Sequence, residues 1–195
     1  KELLLAPMPK SLERYKGVCS FGAWGFDPTP EDTLLLKTID DALSSVAMYY
    51  GHMPAHPEYL EMAEVAAYAD PEAVAEPQGY TLTIEPGRIE LVGHDAAGLF
   101  YAAQTLGQIA WHYRGTWTLP CLTITDAPDF PNRGFMLDIS RDKVPEMETL
   151  YRFVEWMASV KLNQLQLYTE HTFAYPGHHV VWEDASPMTA WQIEA

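Results

Sequence analysis

Alternation between apolar and polar residues predicts strands in the middle of the chain. It runs over residues 80–84 and 89–91, and the Glu-Pro-Gly-Arg between these runs is typical of a hairpin turn. An apolar run over residues 119–125 predicts a third strand. Residues 3–6 are a candidate for a further short strand, which Pro7 would end.

Apolar residues at helical spacing predict two helices in the same part of the chain. We expect the first after a capping arrangement of Thr29 and Asp32, with Pro30 at the first helical position and Gly51 ending the helix. Its apolar stripe consists of Leu35, Ile39, Leu43, Val46 and Tyr50. We expect Asp95 to cap the second helix, whose apolar face consists of Leu99, Phe100, Ala103, Leu106, Ile109 and Ala110.

Two other segments carry weaker patterns. Residues 17–30, which are rich in Gly, Trp and Pro, are interpreted as a loop, and residues 62–68 fit a helix as well as a strand. Strands in a hairpin beside two helices define a small α+β domain, which we place at residues 1–126. Residues 126–131, which contain two prolines, are interpreted as the linker to a second domain.

The second domain, at residues 127–195, is predicted to begin with a strand, a helix and a strand. Apolar runs over residues 135–139 and 162–167 have the length of buried strands. We expect the helix between them to have Pro145 at its first position and both Glu146 and Glu148 in its first turn. Such a crossover is right-handed and makes the strands parallel, so both carboxyl ends lie at one edge of the sheet.

Charged residues follow both strands at that edge. Arg141 comes directly after the first strand, and Glu170 and His171 come after the second. In barrels of alternating strands and helices, the loops at this edge build the functional site. We therefore consider these residues candidates for a site, and the alternative is that each is a surface charge beside a strand.

Composition and charge narrow the classes of protein to consider. The chain has 48% hydrophobic and 12% aromatic residues, which argues for a folded chain with a sizeable core. A formal net charge of −15 argues against nucleic acid or an anionic membrane as a partner. No apolar run reaches membrane-spanning length, and no secretory signal opens the chain. This slightly favours the cytoplasm. Cys19 and Cys121 fit no disulfide framework, which favours a reducing compartment or indifference to redox.

Four long motifs carry a resemblance to a known family. RGFMLDISRDKVP and KLNQLQLYTEH resemble the opening of the catalytic barrel of family 20 glycoside hydrolases, the β-N-acetylhexosaminidases. GYTLTIEPGRIELVGHDAAGLFYAAQTLGQIAW and LPCLTITDAPDFPNRG resemble the small domain that precedes that barrel. The resemblance implies a small α+β domain, a sheet with two helices, followed by the first βαβ unit of a (β/α)8 TIM barrel.

The resemblance also implies a reaction. Enzymes of this family hydrolyse terminal N-acetylhexosamine from glycans by a substrate-assisted retaining mechanism, which needs neither a cofactor nor a metal. Their adjacent Asp-Glu pair, after the fourth barrel strand, orients the acetamido group and protonates the leaving oxygen. This chain lacks such a pair. Its other adjacent acids are interpreted as solvated helix or loop charges: Glu31-Asp32, Asp40-Asp41 and Glu183-Asp184.

Two positions of the family's site match residues of this chain. Arg141 matches an arginine that donates to hydroxyls of the terminal sugar, and its planar set of donors suits vicinal hydroxyls. Glu170 matches an acidic residue, usually aspartate, that supports a histidine and through it the acid/base glutamate. His171 stands where the family commonly has a second aspartate.

Two clusters near the carboxyl end have other interpretations. A metal site is set aside in favour of a solvated loop, because no zinc spacing connects His171, His178, His179 and Glu183. Stacking on a sugar and packing between barrel loops are both open for four aromatic residues, Phe173, Tyr175, Trp182 and Trp191.

A barrel of this class needs roughly 250 residues and eight strands, and two parallel strands leave edges and apolar faces uncovered. We therefore expect a truncated catalytic domain that is inactive by itself, with its open strands covered by the remainder of the barrel or by a partner chain. One alternative is a non-catalytic scaffold or interaction module with a vestigial barrel segment. Another is a barrel glycosidase that acts on a different sugar.

Overall fold

The structure, a computed structural model, describes residues 3–47, 61–141 and 143–195. The chain divides into two compact units, Lys1–Pro131 and Asn132–Ala195. Within the described ranges, no helix combines the length and the apolar composition that crossing a bilayer requires. The two units are described separately below.

The described residues of the first unit form strands and two helices. In chain order these are β1 (Ser11–Phe26), α1 (Thr33–Ala47), β2 (Glu61–Ala69), β3 (Tyr80–Glu85), β4 (Arg88–Gly93), α2 (Ala96–His112) and β5 (Thr118–Asp126). The strands hydrogen-bond in the order β1-β2-β4-β3-β5, and the sheet closes because β1 also pairs with β5. The predicted hairpin is confirmed as β3 and β4, which are antiparallel, and the strand predicted over 119–125 is confirmed as β5.

Strand β1 occupies residues that the sequence pattern assigned to a loop, so that prediction is wrong for residues 17–26. The first part of β1 runs antiparallel to β5 and the last part runs parallel to β2. The register with β5 shifts between Arg14 and Val18, where Gly17 has a φ of +118° that favours glycine. The strand therefore depends on two partners that are distant in the sequence.

Both predicted helices of the first unit pack their apolar stripes into its core. The stripe residues of α1 that the structure describes are buried, as are most of the apolar face of α2 and the inward positions of the sheet. The Asp95 side chain accepts a hydrogen bond from the Gly98 amide at 2.8 Å, which confirms the predicted cap of α2. Gly98 also lies against the Gly79 carbonyl, where an added Cβ would be 2.0 Å from the oxygen.

The start of α1 differs from the prediction. Helix α1 begins at Thr33, and Asp32 caps it by accepting from the amides of Leu34 at 2.8 Å and Leu35 at 3.0 Å. Pro30 and Thr29 therefore precede the helix and take no part in the cap. The predicted end at Gly51, and with it Tyr50, lies outside the described residues.

The structure also corrects the prediction for one short segment and decides between two alternatives for another. Residues 3–6, a candidate for a short strand, do not form one. The backbone of Ala6 is instead hydrogen-bonded to the side-chain amide of Gln108 in both directions, at 2.8 and 2.7 Å. Leu3 and Leu5 are nevertheless buried in the core of the first unit. Residues 62–68, which fitted either type of element, belong to strand β2.

The second unit contains two strands and three helices in its described residues. These are β6 (Gly134–Asp138), α3 (Met147–Ser159), β7 (Gln164–Tyr168), α4 (His179–Trp182) and α5 (Ala190–Glu194). Strands β6 and β7 pair in parallel, with Leu137 opposite Leu167 and Asp138 opposite Tyr168, which confirms the predicted strand–helix–strand unit. Helix α3 begins later than predicted, because Glu146 has an extended backbone and is the N-cap residue, so that Pro145 precedes the helix.

The two faces of the β6–β7 sheet differ in character. Leu137 and Leu167 pack toward α3 around a small buried cluster of Ile139, Leu150 and Met188. Side chains alternate between the faces of a strand, so Asp138 and Tyr168 project from the opposite face. The sheet therefore presents an apolar face to its helix and a partly polar face away from it.

Candidate functional site

The structure brings Arg141 and Glu170 together at the carboxyl ends of β6 and β7. The distance from Arg141 Nη2 to Glu170 Oε1 is 3.8 Å. The parallel strands place the segments that follow them side by side. This is why residues 141 and 170 meet here, although they are 29 positions apart in the sequence. Both side chains are at least half exposed, at 67% for Arg141 and 50% for Glu170, so a ligand could reach them.

Asp138 is the direct partner of Arg141. It is the last residue of β6, and its Oδ2 accepts a hydrogen bond from Arg141 Nη1. Its other oxygen, Oδ1, accepts from the Ser140 hydroxyl at 2.7 Å and from the Ser140 amide at 2.9 Å. These hydrogen bonds from Ser140, followed by the positive charge of Arg141, lower the pKa of the Asp138 carboxyl below its usual value. The carboxylate is therefore charged at neutral pH.

Tyr168 completes this cluster from the neighbouring strand. Its hydroxyl donates to Glu170 Oε1 at 3.0 Å, and that contact is the main reason that the pKa of Tyr168 is raised. The centre of the Tyr168 ring lies 5.6 Å from Arg141 Cζ, within the range of a cation–π contact. The guanidinium is thus flanked by two carboxylates and an aromatic ring.

The sequence interpretation identified Arg141 and Glu170 but assigned no role to Asp138, Ser140 or Tyr168. A signal was present, because Asp138 and Tyr168 end the two predicted parallel strands, where barrel sites are built. What the sequence could not show is that the two residues are paired in register on the same face.

The histidine-rich segment behaves as a local surface structure. His179 Nδ1 lies 3.0 Å from Glu183 Oε2, one helical turn away, and its ring contacts Trp182 edge to face with centroids 4.6 Å apart. Among the described residues, no group of three or more His, Cys, Asp or Glu side chains is arranged to hold a metal ion. The contact between His179 and Glu183 is thus a local pair of exposed side chains.

Most of the aromatic residues considered for sugar stacking contact one another. Phe173 and Tyr175 meet edge to face with centroids 4.9 Å apart. The indole nitrogen of Trp182 donates to the Tyr175 carbonyl at 2.9 Å. Trp191 is largely exposed at the start of α5. Packing within the loop is thus observed for three of them.

A cavity of about 820 Å³ lies on the α3 side of β7. Leu165 and Leu167 line it from the strand, and Phe173 and Tyr175 line it from the following loop. The two leucines project to the apolar face of the sheet, whereas Asp138 projects to the opposite face. The cavity is therefore separate from the Arg141 cluster.

The adjacent acids at the first helix have structural roles. Asp32 caps α1, Asp40 accepts from the Trp24 indole nitrogen at 3.0 Å, and Asp41 pairs with Lys37 on the helix surface. None of these pairs follows a strand in the way that a barrel site requires. Asp32 and Asp41 fit the interpretation as solvated charges, whereas Asp40 is only partly exposed because it contacts the Trp24 indole.

Comparison with protein families assigns a class to both units. Residues 4–127 match "Glycosyl hydrolase family 20, domain 2", and residues 130–187 match "Glycosyl hydrolase family 20, catalytic domain". A small domain followed by the start of a catalytic barrel defines the class as glycoside hydrolases. The chain belongs to glycosyl hydrolase family 20. The resemblance seen in the four sequence motifs is thereby confirmed.

Individual relatives extend the same likeness along the chain. The chain is 24% identical to "Beta-hexosaminidase subunit A1" of Dictyostelium discoideum, over 93% of this chain and 36% of that protein. It is 25% identical to "Beta-hexosaminidase subunit beta" of Rattus norvegicus, over 97% of this chain and 38% of that protein. The chain thus spans little more than a third of the length of these two relatives.

A solved structure shows the same fold. "A Glycoside Hydrolase Family 20 beta-N-Acetylglucosaminidase" superposes with a TM-score of 0.66 at 27% sequence identity. The match covers 88% of this chain and 32% of that chain. The prediction of an amino-terminal domain followed by the start of a barrel is confirmed at this level.

Proposed function

We propose that this chain is the amino-terminal part of a β-N-acetylhexosaminidase that hydrolyses terminal N-acetylhexosamine from glycans. Membership of glycosyl hydrolase family 20 and relatives named as hexosaminidases support this substrate class. The observation that carries the proposal is the exposed guanidinium of Arg141 at the carboxyl edge of two parallel strands of the family's catalytic domain. That edge is where barrel enzymes bind their substrates.

Arg141 would donate to hydroxyls of the terminal sugar. Its side chain is 67% exposed, and only Nη1 is bonded to Asp138, so the remaining N–H groups can turn toward a ligand. A guanidinium presents its donors in a fixed plane, which suits two neighbouring hydroxyls better than a lysine ammonium does. In this role Arg141 binds and orients the sugar ring.

The reaction would be substrate-assisted hydrolysis with retention of configuration. The acetamido oxygen of the sugar attacks the anomeric carbon, a carboxylic acid protonates the leaving oxygen, and water then opens the oxazoline. In the family an Asp-Glu pair orients the acetamido group and supplies the proton. The role proposed for the residues of this chain is sugar binding, through Arg141, rather than proton transfer.

Glu170 remains a predicted supporting residue. In the family role it would hold a histidine that in turn holds the acid/base glutamate. Here its carboxylate contacts Tyr168 and Arg141, at 3.0 and 3.8 Å. Its position at the carboxyl end of β7 supports a place at the edge of the site, where it would also help to hold the guanidinium.

The chain alone would be inactive, and the remainder of the barrel or a partner chain would cover β6 and β7. Exposed apolar residues on these strands and on α3 support this part of the proposal, among them Phe135, Met136, Tyr151, Val154 and Trp156. Such a concentration of apolar surface is typical of a face that another element covers. The location of the protein in the cytoplasm stays a prediction.

The test is an assay of a longer polypeptide that contains this chain and completes the barrel. We expect it to release a chromogenic aglycone from an aryl N-acetyl-β-glucosaminide, and an Arg141→Ala variant to lose about 10- to 150-fold in kcat/KM. This estimate takes about 1.5–3 kcal/mol for hydrogen bonds made by a charged donor. Unchanged hexosaminide turnover in the variant would favour a barrel acting on a different sugar.

The competing hypothesis is a non-catalytic scaffold or interaction module. The closed sheet and extended core of the first unit favour it, since that unit has what an independent domain needs. The coding sequence downstream of Ala195 discriminates between the two hypotheses. An Asp-Glu pair after a predicted fourth strand supports the enzyme, whereas a stop codon supports the module. Aglycone release by the 195-residue chain alone would contradict the proposed inactivity.

A further inference from the structure

The Arg141 side chain needs an external constraint if it is to meet a sugar in one orientation. Arginine has many rotamers, and this one is 67% exposed in a loop that follows a strand. An unconstrained guanidinium would have to be ordered each time that a ligand binds, which lowers affinity. The residues around it therefore decide how well it is preorganised.

Asp138 supplies that constraint with its two oxygens. Oδ2 accepts from Arg141 Nη1, while Oδ1 is occupied by the hydroxyl and the amide of Ser140. The carboxylate is itself only 29% exposed and is attached to the paired end of β6. The sheet thus fixes the carboxylate through Ser140 and strand pairing, and the carboxylate fixes the guanidinium.

Glu170 and Tyr168 are weaker constraints on the same group. Glu170 is 3.8 Å from Arg141 Nη2, beyond hydrogen-bond distance, and its side chain is 50% exposed. The Tyr168 ring attracts the guanidinium without selecting one of its N–H groups. Among the three neighbours, only Asp138 selects a particular nitrogen.

We infer that Asp138 is a positioning residue, which holds Arg141 through Nη1 so that its remaining N–H groups are aimed at the hydroxyls of the bound sugar. This inference rests on the proposed function. The alternative is that the ion pair only stabilises the fold, but exposed pairs of this kind contribute little to stability. Asp138 would act through Arg141 and would not need to touch the substrate.

The test is a double-mutant cycle in the completed barrel protein, using Asp138→Asn, Arg141→Ala and the combination. We expect Asp138→Asn to lower kcat/KM for an aryl N-acetyl-β-glucosaminide by about 10-fold, the scale of one charge-assisted hydrogen bond. In the Arg141→Ala background the same change should lower kcat/KM by less than about 2-fold, because the guanidinium that Asp138 positions is absent. A thermal melt of each variant measures whether folding is affected.

Asp41→Asn is the matched control, since Asp41 is an exposed aspartate that also pairs with a cation, Lys37, on the surface of α1. It should leave kcat/KM unchanged in both backgrounds. The positioning role would be overturned if Asp138→Asn lowered kcat/KM equally with and without Arg141, or did not lower it at all. In that case an active parent protein would still support the proposed function. An inactive parent protein with a complete barrel would reject both.

Discussion

At the scale of single residues, the hydroxyl of Tyr80 contacts two buried polar side chains in the first unit. It lies 2.7 Å from the Thr105 hydroxyl and donates to Asp126 Oδ2 at 3.1 Å, and all three residues are buried. Asp126 also accepts at Oδ1 from the amides of Lys10 and Ala127. The network joins β3, α2 and the end of β5 inside a core that is otherwise apolar.

Tyr80→Phe should lower the free energy of unfolding by about 1–3 kcal/mol, because the buried carboxylate of Asp126 loses a donor and the Thr105 hydroxyl loses its partner. Urea denaturation of the 195-residue chain measures this. Tyr15→Phe is the matched control, since the Tyr15 hydroxyl contacts Glu13 on the surface, and it should change stability by less than about 0.5 kcal/mol. A loss of the same size in both variants would contradict a special role for the buried network.

The same tyrosine makes stability depend on alkaline pH. Burial, and then the charge of Asp126, raise the pKa of Tyr80 above its ordinary value, so the folded phenol stays protonated where the unfolded one ionises. Stability from this group is complete below pH of about 10 and falls as the pH rises further. The stability difference between the parent chain and Tyr80→Phe should therefore shrink above that pH.

At the scale of elements, the local capping signal predicted the start of α2, whereas local patterns failed for strand β1. Asp95 caps α2 as its sequence position predicts, because a cap needs only the residues of one turn. Strand β1 has no comparable local pattern, since its Gly-rich residues are held by β5 on one part and β2 on the other. Its missing alternation reflects a strand that bends around a closing sheet.

Asp95→Ala should destabilise the first unit by about 1–2 kcal/mol through loss of the α2 cap. The carboxylate also accepts from the Gln78 amide at 3.0 Å, which places the estimate toward the upper end. Chemical denaturation of the 195-residue chain is the measurement. Asp41→Ala, which removes only a surface pair with Lys37 on α1, should cost less than about 0.5 kcal/mol. Equal effects of both changes would count against the cap.

At the scale of the whole molecule, the two units differ in how much core each has. The buried cluster of the first unit extends over both of its helices and all five of its described strands. That of the second unit consists of Ile139, Leu150 and Met188 with a few partly buried neighbours. A two-stranded sheet with so small a core lacks the apolar burial that offsets the entropy of folding.

Residues 1–131 alone should therefore unfold cooperatively, at nearly the same urea concentration as the 195-residue chain. Residues 132–195 alone should show little amide protection in hydrogen exchange. Protection of β6 and β7 in that isolated segment, comparable with that of the first unit, would contradict the expectation. It would also remove the reason to expect that another element covers them.

Sequence patterns correctly predicted the family, the hairpin, the apolar faces of the helices and the parallel strand–helix–strand unit. These follow from patterns within a few turns of chain and from motifs that are continuous in sequence. The folded chain was needed to show that residues 17–26 form a strand and that residues 3–6 do not. It was also needed to show that Asp138 and Tyr168 flank Arg141. Strand pairing and the contact of Tyr168 with Arg141 join residues that are far apart in sequence, so no local pattern encodes them. The contact of Asp138 with Arg141 spans three positions and depends on side-chain conformation.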